Sequence, residues 1–207
     1  MANLQTTLSV LQKRYTGAKV AKLAPIVVKW EGYYVNDPTD KGGPTNMGIT
    51  LGTWKQLGYD KNGDGVINSK DIKLLNKNDF TIILKNYWDK WKGDDINNQS
   101  IANILVDWYW GSGKWGIVIP QRLLGLKEDG IVGPKTIAAI NKTNQKELFD
   151  MIFNARVKFL NDIVDSSIDK YEAKIHKKAS QKDLLKYTQK RFIKGWLNRL
   201  ADFKFEA

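Results

Sequence analysis

Apolar residues recur along this chain at helical spacing, and that periodicity excludes most folds other than a helical one. Phe80, Ile83, Leu84, Tyr87, Trp88 and Trp91 form one stripe, with Asn78 suited to cap the helix. Ile101, Ile104, Leu105 and Trp108 form the next, ended by Gly111-Ser112-Gly113. The longest stripe covers 144–165, with Leu148, Ile152, Phe159 and Ile163 around an embedded Arg156. That arginine either anchors a carboxylate or snorkels to solvent. Weaker patterns predict helices over 3–20 (Leu8, Leu11, Tyr15), over 21–31 (Leu23, Ile26, Val27, Trp30) and over 114–124. Ile49–Leu57, carrying Trp54, reads as a short helical or extended piece, and Phe192–Leu200 as a final helix docking Trp196. Gly133 and Pro134 suit the N-cap and first position of another helix. The expected fold is mainly α, a helical bundle with at most a small β-hairpin within 32–50. At 207 residues, with no repeat or Gly/Ser linker, the parts read as one body.

The most chemically loaded stretch is KWEGYYVNDPTDKGGPTNMGIT, Lys29–Thr50. Glu31 closes an apolar helix and Gly32 is a helix stop. A carboxylate on the last turn beside a buried face has its charge disfavoured by the macrodipole and by burial. A raised pKa suits a general acid. The following loop gathers Asp37, Asp40, two prolines and paired glycines before returning at Met47–Thr50. The plainer alternative is a surface helix end with a turn. Asp107, inside an apolar helix, reads as a hydrogen-bonded structural aspartate rather than a second catalytic acid.

Asp60–Asp71, DKNGDGVINSKD, has the spacing of a calcium loop. Asp60, Asn62, Asp64 and Asp71 occupy ligand positions, Val66 offers its backbone carbonyl, and Gly65 sits at the sharp turn. With Asp as last ligand the string resembles the calcium loop of dockerin repeats. A structural calcium is expected there, and the alternative is an Asx- and Gly-rich turn without metal.

Lys and Arg number 33 against 22 Asp and Glu, a net charge of +11 that favours anionic partners. Much of the excess lies in Lys170–Lys194, where the plainer reading is a solvated helix face; the lone His176 reads as surface. No zinc-finger spacing, RNP-like string or zipper accompanies the charge, so a nucleic-acid partner rests on charge alone. Without cysteine there are no disulfides or thiolate metal sites. No run approaches the roughly 18 apolar residues of a membrane span, and the N-terminus lacks a secretory pattern.

The string E-G-x-Y-x-N-D-P-x-D-x-G-G-x-T-x-x-G-I-T, from Glu31 to Thr50, resembles the N-terminal signature of glycoside hydrolase family 108, N-acetylmuramidases often found in phage and prophage endolysins. Tyr87-Trp88, Asp129–Thr136 (DGIVGPKT) and Gly195-Trp196-Leu197-Asn198-Arg199 fit the same family in order. Tyr33 stands where the family usually has a second glycine, and Gly111-Ser112-Gly113 replaces a commoner Asn-Ser-Gly. The resemblance implies an α+β lysozyme-like fold. A catalytic region would cover 1–112, and a helical peptidoglycan-binding region, 113–207, would pack on it. It implies hydrolysis of the β-1,4 MurNAc–GlcNAc bond, with Glu31 as acid and no catalytic cofactor. Asp40 and Thr45 would hold a water for inversion, whereas a close carboxylate pair would give retention. Tyr33, Tyr34, Asn46 and Trp91 are the expected substrate contacts. Peptidoglycan is the expected partner and a monomer the expected state. The protein would be made in a bacterial or phage-infected cytoplasm and reach the wall after release. The rival is a non-catalytic wall-binding or secretion-associated adaptor, for which Tyr33 is the best support.

Overall fold

A computed structural model describes residues 18–32, 34 and 44–207, and the chain there is mainly helical, as the periodicity predicts. The helix expected over 3–20 lies almost entirely outside the described residues. The first described helix, α1, is Val20–Val28. A two-stranded antiparallel hairpin follows, β1 (Thr45–Asn46) and β2 (Ile49–Thr50), pairing Thr45 with Thr50 and Asn46 with Ile49. Then come α2 (Leu51–Leu57), α3 (Ser69–Leu74) and α4 (Lys77–Lys90). The cap of α4 is Asn76 rather than Asn78. The Asn76 side chain accepts from the N–H groups of Asn78 and Asp79, and the Asp79 carboxylate accepts from the Asn76 N–H at 2.8 Å. That reciprocal box satisfies more end groups than a cap two residues later.

The centre of the molecule is α5, Gln99–Ser112, in which every residue from Ser100 to Trp108 is buried. Covered on all sides, it is apolar there apart from Ser100, Asn103 and Asp107. It packs on α1, α4, α6 (Trp115–Leu123) and α8 (Gln145–Ile175). The α5–α6 approach is close enough that a Cβ on Gly116 would lie 2.4 Å from the Tyr109 backbone nitrogen. Four tryptophans, Trp54, Trp88, Trp91 and Trp108, are fully buried. Each buries a large apolar area, of order 150–250 Å².

Helix α7 is Pro134–Lys142, with Gly133 as N-cap and Pro134 at its first position as expected. Helix α8 runs past the predicted end at 165 to Ile175 and stops at His176, exposed and with φ of 54°. Its apolar stripe ends earlier because the last turns leave the main core and pack on the segment after it instead, with the Tyr171 and Tyr187 rings stacked at 5.3 Å and Gln189 N–H donating to Ser167 Oγ at 2.9 Å. Helices α9 (Gln181–Tyr187) and α10 (Ile193–Ala201) complete the fold, and α10 packs on α8. The last residues return to the N-terminal helices. Lys29 Nζ and Trp30 Nε1 donate to Asp202 Oδ2 at 2.7 and 2.6 Å, and Glu206 N–H donates to Ser100 Oγ at 2.9 Å. No helix among the described residues is long and apolar enough to cross a membrane.

Candidate active site

Helix α1 stops at Val28, and a tighter turn continues it: Trp30 N–H reaches Val27 O and Glu31 N–H reaches Val28 O. Glu31 therefore sits in a bend just past the helix rather than on its last turn, with a side chain only 14% exposed. Its Oε1 accepts two hydrogen bonds, from Trp110 Nε1 at 2.8 Å and from Arg199 Nη1 at 2.9 Å. Its Oε2 lies against Gly48, where an added Cβ would come within 2.5 Å. Gly48 ends the two-residue hairpin turn, in which Met47 and Gly48 have φ of 49° and 73°. Two positive φ values mark the turn type whose twist matches a tight hairpin. The turn is pinned to the acid's neighbour by Met47 N–H donating to Gly32 O at 2.9 Å. Position 48 thus needs glycine for its backbone and for its distance from Glu31.

Each donor to Glu31 is itself held. The Trp110 ring, at the end of α5, meets Tyr87 at 4.7 Å and Phe80 at 5.4 Å between centroids, both on α4. Arg199, on α10, also donates to Asp107 Oδ1 through Nη2 at 2.6 Å and Nε at 3.2 Å. Arg156 Nη2 donates to Asp107 Oδ2 at 2.6 Å. Asp107 is fully buried. Burial alone would push its carboxyl up, but the Arg156 and Arg199 guanidiniums outweigh it and hold the group below the usual carboxylate range. Burial opposes the charge of Arg199 as well, and Asp107 and Glu31 outweigh it to raise that pKa. For Arg156, burial prevails and lowers the pKa. The result is a chain of alternating charge, Glu31–Arg199–Asp107–Arg156, running from the core to the acid. It borders a cavity of about 320 Å³, with Glu31, Trp110 and Arg199 among its lining and Leu160, Ile163 and Trp196 facing the same space.

The expected structural role of Asp107 and the anchoring role of Arg156 are both seen in these contacts. Arg199 and Trp110 are the partners that sequence reasoning missed as site residues. Arg199 had a signal, the Gly195–Arg199 string; Trp110 had none, lying off the α5 stripe.

Thr45 lies on β1, half-buried. The Lys73 ammonium stands 5.5 Å over the Tyr34 ring, whose hydroxyl is buried without a partner among the described residues. Two expected substrate contacts are corrected. Trp91 is fully buried in the core, so its ring lines no groove. Asn46 turns its amide inward and donates to Ile72 O at 2.9 Å, tying the hairpin to α3. Tyr33, Asp37 and Asp40 lie outside the described residues.

In the Asp60–Asp71 loop, the side-chain oxygens accept from the loop's own N–H groups. Asp60 takes Gly63 and Gly65 at 2.8 and 2.6 Å, Asn62 takes Asp64 at 2.9 Å, and Asp64 takes Val66 at 3.1 Å. The Val66 carbonyl accepts from Asn68 Nδ2 at 3.2 Å. Buried Asp71 accepts from Asn68, Lys61 and Asn62, and those bonds, against the opposing effect of burial, hold its pKa down. Asp71 thereby closes the capping box of α3. Among the described residues no three His, Cys, Asp or Glu side chains are gathered as a metal would need.

Residues 24–113 match the family described as Glycosyl hydrolase 108, and residues 115–201 match that described as Predicted Peptidoglycan domain. The solved structure titled "Structure of Brucella abortus SagA" is similar at 28% identity and a TM-score of 0.60, covering 89% of this chain and 90% of that one. No curated protein matches the chain. Glu31, Gly48, Asp107 and Trp110 fall in the first matched span, Arg156 and Arg199 in the second. The charge chain therefore joins the two.

Proposed function

We propose, for a chain whose residues 24–113 belong to the glycosyl hydrolase 108 family and whose residues 115–201 belong to the predicted peptidoglycan domain family, an N-acetylmuramidase that cleaves the β-1,4 MurNAc–GlcNAc bond with Glu31 as general acid. One observation carries the reading: a single carboxylate at a cavity wall has one oxygen fixed by Trp110 and Arg199 and the other against Gly48. In this scheme Oε1 orients the group and Oε2 carries the proton to the leaving oxygen. The restraint supplies the positioning on which proton transfer depends. Because Arg199 is shared with Asp107, the second region of the chain takes part in setting the acid of the first. Asp40 and Thr45 are assigned to hold the water on the opposite face of the sugar, which yields inversion; nucleophilic attack by a close carboxylate would yield retention.

The test is digestion of isolated peptidoglycan followed by borohydride reduction of the new ends. Reduced muramic acid at those ends is expected. Reduced glucosamine would transfer the cut to the other glycosidic bond. No new ends, with binding to the wall retained, would replace the enzyme with an adaptor.

A further inference from the structure

We propose that Trp196 is the stacking platform for one N-acetylated pyranose of the glycan strand, in the cavity that Glu31 borders, so that the second matched region completes the cleft of the first. The two regions give that cavity different surfaces. Glu31 and Trp110 come from the first, and Leu160, Ile163 and Trp196 come from the second. At about 320 Å³ it lies at the small end of ligand pockets, about 300–1,000 Å³, with room for a sugar unit rather than a long chain.

Helical spacing explains why these apolar groups arrive with the ion pairs. On α10, Trp196 and Arg199 are three positions apart and share a face. The helix that brings a guanidinium to Glu31 therefore brings an indole to the same cavity. On α8, Arg156, Leu160 and Ile163 follow one another by four and three positions and share a face in the same way. The Glu31–Arg199–Asp107–Arg156 chain thus ties the helices that carry the apolar wall to the acid.

Trp196 differs from the core tryptophans. Trp54, Trp88, Trp91 and Trp108 are fully buried, whereas Trp196 is half-buried and borders the cavity. Phe192 stacks on it with ring centroids 5.9 Å apart and planes inclined by 27°, and the Arg191 guanidinium lies 4.4 Å from the Phe192 centroid. The stack holds the indole in place before a ligand enters, which lowers the ordering cost of binding. A flat apolar ring beside hydrogen-bonding groups suits a pyranose, whose C–H face is apolar and whose rim is polar. Leu160 and Ile163 offer apolar surface to the methyl of an acetamido group. A stem peptide has no such flat face, and the sugars of the strand do.

The experiment is calorimetric titration of the full chain with N-acetylchitotetraose, a β-1,4 tetrasaccharide with no peptide and no MurNAc–GlcNAc bond to cut, and with cellotetraose, which lacks the acetamido groups. The wild type is expected to bind the first about fourfold or more tightly than the second, the effect of one buried methyl. Trp196→Leu, which keeps apolar bulk but no flat face, is expected to weaken binding about tenfold, and Trp196→Phe, which keeps the face, about threefold or less. A purely structural role would give the two variants equal affinity, and that result would overturn the subsite. Equal wild-type affinity for cellotetraose, or wild-type preference for the free stem peptide L-alanyl-D-glutamyl-L-lysyl-D-alanine, would overturn it as well. The subsite rests on the reading of the cavity as the glycan cleft, and the two can fail separately. Tetrasaccharide binding that falls in Trp196→Leu, with no new ends on isolated peptidoglycan, would sink the muramidase and leave the subsite standing. New muramic acid ends with equal affinities in the two variants would do the opposite.

Discussion

Gly48→Ala isolates the placement of the acid from the stability of the fold. Two costs meet at this position. The φ of 73° puts a Cβ against the backbone, which costs about 1–2 kcal/mol for any L-residue. The same Cβ would stand 2.5 Å from Glu31 Oε2, so the carboxylate or the turn must shift. Glu31 is the far end of a side chain, but Trp110 and Arg199 hold its other oxygen, so yielding breaks one of those bonds or moves Oε2 itself. A displacement of about 1 Å at a reacting group costs around a hundredfold in rate. Gly63→Ala supplies the control. Gly63 has φ of 75°, nearly the same backbone cost, and nothing within 4 Å of its added Cβ. For a chain of this size about 1–2 kcal/mol lowers the melting temperature by roughly 2–8 °C, so both variants should melt lower by similar amounts. Only Gly48→Ala should lose most of its lytic rate, measured as turbidity loss on isolated peptidoglycan well below either melting point. A Gly48→Ala variant with wild-type rate, or a Gly63→Ala variant equally impaired, would refute the argument that this glycine gives Glu31 its place.

Three further outcomes are expected. Asp107→Asn leaves buried Arg156 without its carboxylate and Arg199 with Glu31 alone, and should cost about 3–5 kcal/mol near neutral pH. Because Asp107 is held below its ordinary range, its contribution is full above the unfolded value of about 4 and is lost as pH falls through the lower folded value; thermal melts should show the gap between wild type and variant closing in acid, and a constant gap would contradict the pairing. Asp40→Asn should slow turnover more than it weakens wall binding; if Asp37→Asn is the damaging change instead, that aspartate holds the water. For calcium to bind, the Asp60–Asp71 side chains must give up the loop's own N–H groups; if they do, millimolar calcium should raise the melting temperature over EDTA in wild type but not in Asp64→Ala, by the equivalent of about 2.7 kcal/mol at a hundredfold excess over Kd, and superimposed wild-type curves would leave a turn closed by its own N–H groups.

Local patterns made most of the fold legible. The stripes of α4, α5 and α8, the Gly133-Pro134 start of α7 and a hairpin within 32–50 all depend on neighbours a few residues apart. Boundaries were less legible: Asn76 and Asn78 offer the same cap chemistry, and only the return of Asp79 to the Asn76 N–H separates them. At the candidate site, the Glu31 string singled out one carboxylate, but its surroundings are long-range. The bond from Arg199 to Glu31 spans 168 positions and has no periodic signature. Trp91 shows the opposite limit: an aromatic at a helix end looks the same in sequence whether it faces a groove or, as here, the core.

The central claim is most directly tested by the rate of Glu31→Gln on isolated peptidoglycan, with its melting temperature measured alongside. The amide keeps the shape of the carboxylate and supplies no proton, so the account predicts a folded protein whose rate falls by about a hundred- to ten-thousandfold. A folded Glu31→Gln variant keeping more than about a tenth of the wild-type rate would remove Glu31 from the acid's role.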